Sequence, residues 1–106
     1  MENNLFFTHA FVTDLSEAFE YINSCYSEQI YAKQTMRMIE ADILRLNNGA
    51  TGYHPCPSPF DMLGYRYFIT FGLVIVFWVD KFFKKAYLMR CFYGNNMCVQ
   101  FFDASI

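Results

Sequence analysis

Two arginines stand inside otherwise apolar runs, Arg66 within Tyr65–Phe71 and Arg90 within Ala86–Phe92. A guanidinium in that setting needs a carboxylate or an anionic ligand to offset its lost hydration. The first outcome is a salt bridge to the acidic N-terminal helix or to Asp61. The second is an anion-binding groove on a sheet, with Lys81, Lys84 and Lys85 at its rim. His54 and Cys56 lie two residues apart, as two ligands of a metal or a thiolate–base pair would. A zinc site needs three or four protein ligands, and a reactive thiolate pair needs a third group to orient the base, so loop packing is the simpler reading. Asp14, Glu17 and Glu20 form a carboxylate cluster that reads as the solvated side of one helix. The chain has no G-x-S-x-G, phosphate-binding loop, H-E-x-x-H or G-x-G-x-x-G. Most enzyme classes lose their signature there, and neither a cofactor nor a metal is expected.

The elements that must position these residues follow from periodicity. Leu5, Phe6 and Phe7 suit a short first strand. Phe11, Leu15, Ala18, Phe19 and Ile22 recur at helical spacing, with the acids elsewhere on the wheel. A second helix is expected with Ser27 as its N-cap, an apolar stripe of Ala32, Met36, Ile39, Ile43 and Leu46, and a stop at Asn47-Asn48-Gly49. Residues 50–64 hold three prolines and read as a connecting loop. Three strands are then expected, Tyr65–Phe71, Leu73–Val79 and Ala86–Phe92, followed by a turn at Tyr93-Gly94-Asn95-Asn96 and an apolar tail, Met97–Phe102. The middle strand is apolar at both parities, which suits a central position covered on both faces. Strict alternation puts Arg66, Phe68 and Thr70 on one face of the first strand, and Ala86, Leu88 and Arg90 together on the third.

The expected architecture is α+β: an N-terminal strand and an antiparallel helix hairpin packed on an antiparallel β-meander, in one domain spanning residues 1–106. Length supports a single core, and 55% hydrophobic against 17% charged residues excludes a disordered chain. The net charge of −2 argues against a broad basic field for duplex nucleic acid, although the basic residues gather in the C-terminal half, where an anionic partner would bind. The four cysteines form no C-x-x-C pair and no apolar leader precedes them, so they read as free thiols in a cytoplasmic protein. The longest uncharged apolar stretch, Tyr67–Val79, is too short to span a bilayer, and no membrane partner is expected.

Taken in order, these segments resemble the RelE/ParE family of type II toxin–antitoxin toxins, from Leu5 to Phe102. The residues that carry the resemblance are Asp14-Leu15 with Tyr21-Ile22, Leu63-Gly64-Tyr65-Arg66, the aliphatic strand ending in Val79-Asp80, and Ala86 to Gly94. The resemblance implies a growth-inhibiting toxin, associated with plasmid stabilization, that is neutralised by an antitoxin encoded beside it. Its targets would be ribosome-bound mRNA, which is cleaved, or DNA gyrase, which is poisoned without cleavage. For cleavage, Arg66 and Arg90 would be the transition-state cations and Tyr93 the proton-transfer group. Phe68, Val74, Asn95 and Asn96 stand where ribonuclease members often carry basic residues, and phosphodiester cleavage needs such cations. The reading is therefore a toxin acting by target binding. An mRNA interferase and a non-toxic interaction module of the same fold are the alternatives, and homodimerisation is left open.

Overall fold

The computed structural model describes residues 4–48, 53–56, 58 and 61–93. In chain order the elements are β1 (Asn4–Phe7), α1 (His9–Cys25), α2 (Gln29–Leu44), a 3₁₀ turn (Arg45–Asn48), β2 (His54–Pro55), β3 (Tyr65–Thr70), β4 (Leu73–Asp80) and β5 (Lys85–Tyr93). The sheet order is β1-β5-β4-β3-β2. β1 runs parallel to β5 and every other neighbouring pair is antiparallel. The two helices lie against one face of this sheet, as the α+β reading predicted. Its additions are a parallel first strand and a short edge strand inside the proline segment. The expected turn after Tyr93 and the tail Met97–Phe102 lie outside the described residues.

α1 starts two residues before the first apolar position of its stripe because Thr8 caps it. The Thr8 side chain accepts from the Phe11 amide at 3.1 Å, and its backbone carbonyl accepts from Val12. Phe11, Ala18 and Ile22 are buried, with Leu15 and Phe19 half-buried beside them. In α2, Ser27 is not the cap: Glu28 holds that position and makes no side-chain capping bond. Ala32, Ile39, Ile43 and Leu46 of its stripe are buried, joined by Thr35, whose hydroxyl donates to the Tyr31 carbonyl one turn back. At Arg45 the helix tightens into the 3₁₀ turn, and Gly49, expected as its stop, lies outside the described residues. Asp42 ties this end of α2 to the sheet by accepting from the Thr70 hydroxyl at 2.6 Å.

β4 is covered on both faces, which its sequence required. Leu73, Ile75, Phe77 and Val79 join the helices in the main core. Val74 and Val76 form a second cluster on the opposite face with Cys56 and Phe92, flanked by Tyr65 and Tyr67. The alternation breaks on β5. Phe77 pairs with Leu88, but Val76 pairs with Arg90, so Met89 is an extra residue in that strand. Ala86 and Leu88 share one face as expected, and that face meets the helices. The bulge then corrects the expected face of Arg90: it shares the side of Val76 and Phe92, while Cys91 turns into the core at 4% exposure.

The β3–β4 connection is a two-residue turn, Phe71-Gly72, with φ of 49° and 81°. Both central residues of such a turn need left-handed backbone, which glycine adopts freely and an aromatic residue adopts at a cost. Gly64 has φ of 92°, and a Cβ there would lie 2.9 Å from Trp78 Nε1, which donates to the Leu63 carbonyl. Phe71→Asn is therefore expected to raise stability by about 1 kcal/mol. Gly64→Ala is expected to lower it by about 1–3 kcal/mol. Urea denaturation midpoints of the two variants should move in opposite directions.

Candidate functional site

β1 covers the outer edge of β5 only from Lys85 to Leu88. Beyond that point the edge would present unpaired backbone groups, and two side chains of the N-terminal segment meet them. The Thr8 amide donates to the Leu88 carbonyl at 3.1 Å, and its hydroxyl, 3.0 Å and 2.9 Å from the carbonyls of Leu88 and Met89, shares its one proton between them. Asp14 Oδ2 accepts from the Cys91 amide at 3.1 Å and from Arg90 Nε at 2.6 Å, while Oδ1 takes Arg90 Nη2 at 3.2 Å. Asp14 is thus a structural acid with a side chain only 14% exposed, and not part of a solvated face. The signal was in the sequence: Phe11, Asp14 and Ala18 are spaced i, i+3, i+7, which puts Asp14 on the buried stripe. Arg90 consequently realises the salt bridge to the acidic helix.

Between α1 and this edge of β5 lies a cleft of about 540 Å³, lined by Asp14, Glu17, Tyr21, Arg90, Cys91 and Tyr93 among others. Tyr21 and Tyr93 meet edge to face, with ring centroids 4.8 Å apart. On the far side of that pair a second hollow of about 370 Å³ is lined by Cys25, Tyr26, Thr35 and Phe71. The hydrogen bond with Asp14 holds the Arg90 guanidinium above its already high range. Burial raises the Tyr93 phenol, and a hydrogen bond with Cys25 raises Tyr21. Both phenols keep their protons at neutral pH, so Tyr93 can donate a proton and is a poor base. Burial, reinforced by Asp14, pushes the Cys91 thiol up to about 12, which leaves it no nucleophilic character near neutrality.

The structure brings Arg90 and Tyr93 together but separates the other sequence-predicted residues from them. Arg66 sits on the helix side of β3 beside Phe77, half-buried, with Nη1 donating to the Tyr53 carbonyl at 3.0 Å. Among the described residues it forms no ion pair, so the expected bridge to Asp61 or to the acidic helix is replaced by a backbone acceptor. Lys81 and Lys84 occupy the β4–β5 turn, and Lys85 opens β5 beside it. That turn is at the far end of β4 from Leu73 and the cleft, on the order of 20 Å away at strand rise. The Lys85 ammonium lies 5.4 Å from the Phe6 ring centroid and 5.6 Å from that of Phe83. His54 stands against the Tyr67 ring at 5.7 Å, and Cys56 is buried in the second cluster.

The Cys91 thiol carries a pH dependence with a definite sign. An ordinary thiol titrates near 9.0 and this one at about 12 in the folded chain. Between those values the unfolded chain has lost the proton and the folded chain has kept it, so rising pH favours unfolding. Stability is expected to be insensitive to this group below the ordinary value and to fall as pH climbs toward the folded value. Denaturation midpoints measured across that alkaline range should fall less steeply for Cys91→Ala.

No protein-family model matches the sequence, and no curated protein is detectably similar to it. Solved structures do match. A chain of the chromosomal ParDE toxin–antitoxin system from P. aeruginosa superposes with a TM-score of 0.69 at 17% identity, over 89% of this chain and 98% of that one. A chain of the RelBE2 toxin–antitoxin complex from Mycobacterium tuberculosis superposes with a TM-score of 0.61 at 11% identity, over 88% and 99%. At these identities the likeness is one of fold. The two helices on a five-stranded mixed sheet are the RelE/ParE-like fold that the sequence resembles.

Proposed function

We propose that this chain is the toxin of a type II toxin–antitoxin module, held inactive by a protein antitoxin and acting by binding its target rather than by cutting RNA. The observation that carries the first part is the near end-to-end superposition on chains from two toxin–antitoxin complexes. The second part is supported by the dispersal of the cations. Arg66 is on β3, bonded to the Tyr53 carbonyl, and β4 separates it from Arg90 on β5. Lys81, Lys84 and Lys85 are at the far end of β4, and Arg90 is already neutralised by Asp14. A transition state with charge developing on phosphorus needs several cations converging on one point, and offset charges contribute little. The cleft between α1 and β5, with its Tyr21–Tyr93 wall, is the seat we assign to an apolar segment of the antitoxin.

One observation favours the alternative of mRNA cleavage. Arg90 and Tyr93 line the same cleft, and the raised phenol of Tyr93 suits a proton donor. Inducible expression in a bacterial host discriminates the readings. Growth arrest is expected, relieved when the adjacent open reading frame is co-expressed, with ribosome-bound mRNA left intact. Cleaved mRNA that is lost with Tyr93→Phe or with Arg66→Ala would establish the interferase instead. Unaffected growth with abundant soluble protein would leave the interaction module.

A further inference from the structure

The β4–β5 turn carries the most exposed aromatic groups among the described residues, Phe82 at 86% and Phe83 at 63%. Their exposure is built in. Asp80 Oδ1 accepts from both the Phe82 and the Phe83 amides at 3.1 Å, which fixes the turn backbone with both rings outward. Lys84 completes the turn in left-handed backbone at φ 55°. The two rings meet edge to face at 4.9 Å, and Lys85 sits between Phe83 and Phe6. Phe6, at 40% exposure and stacked on Tyr87, widens the apolar area from the adjoining β1. Lys81, Lys84 and Lys85 surround it, and the carboxylate within the turn, Asp80, is occupied by its two amides.

We infer that this prong is a membrane-surface contact, with Phe82 and Phe83 entering the interface of an anionic bilayer and the three lysines meeting lipid phosphate and carboxylate groups. Three features favour a bilayer over other anionic partners. The apolar group is a turn tip whose two rings are 86% and 63% exposed, and a fluid interface needs no complementary shape to receive it. The rings meet edge to face, so they offer no pair of open parallel faces for stacking successive bases. The lysines flank the tip, and their long stems let the ammonium groups stay at headgroup level while the rings go deeper. No helix in the described residues is long and apolar enough to cross a membrane, and this contact requires none. It is independent of the toxin reading, since it uses neither the cleft nor Arg66.

The test is co-sedimentation of the full chain with large vesicles of phosphatidylcholine and of an equimolar phosphatidylcholine–phosphatidylserine mixture. Binding to the anionic vesicles is expected, weakened by salt and at least tenfold weaker with neutral ones. Phe82→Ser with Phe83→Ser should lower the partition at least tenfold, and Lys81→Gln with Lys84→Gln should remove its dependence on phosphatidylserine. Circular dichroism checks that each variant keeps its fold, which these exposed side chains do not hold together. Equal sedimentation by wild type and the double serine variant, or none by either, would overturn the proposal. So would tight binding to oligouridylate that the same substitutions abolish while vesicle binding stays absent.

Discussion

The hydrogen bonds that Thr8 and Asp14 make to β5 are the constraint on which the remaining arrangement rests. β1 ends at Phe7 and leaves the outer edge of β5 beyond Leu88 without ladder partners, and groups left so would be costly once α1 covers them. Thr8 answers the two carbonyls at the bulge, and Asp14 answers the amide of Cys91 and the Arg90 guanidinium. One short segment thereby ends β1, starts α1, and closes the β5 edge against pairing with another chain. The same bonds set the distance between α1 and β5, and so the width of the cleft. Edge protection and cleft formation are consequences of one contact.

Much of this fold was legible because hydrophobic spacing dominates local structure. The stripes of both helices and the two-sided apolarity of β4 could be read at sight, and the burial follows them. What escaped were features decided by partners far away in sequence. Nothing near Met89 marks an extra residue, so alternation placed Arg90 on the wrong side of the sheet. Ser27 is a good cap by type, yet the chain enters α2 through Glu28 with the bond unmade. Asp14 was misread as solvent-facing because residue type was weighed above its position on the wheel. For Arg66, the two outcomes weighed were a salt bridge and an anionic ligand, and a backbone carbonyl of Tyr53 served instead.

The candidate site was less legible than the fold for a physical reason. Which cations converge is a property of strand register and side-chain direction, and one inserted residue redirects every side chain after it. Arg90 and Tyr93 came together through the bulge and the edge-to-face contact with Tyr21, neither of which has a sequence signature. The prong shows the converse. Phe82 and Phe83 stand among lysines in a turn, and only the pair of bonds to Asp80 reveals that their outward orientation is held in place.

The parallel pairing of β1 with β5 also sets an order of assembly. Thr8 and the carbonyl it binds are 80 positions apart, and a contact of that span pays its loop-closure entropy before it returns any stability. The helix hairpin and the β3–β4–β5 meander close over short loops and can form early. The first strand has no template until β5 exists, so the earliest of these elements to be made cannot pair until the last of them has been. A nascent copy lacks the edge closure and the completed cleft until synthesis has passed Tyr93, and whatever the cleft recognises can be bound only by a chain translated to that point.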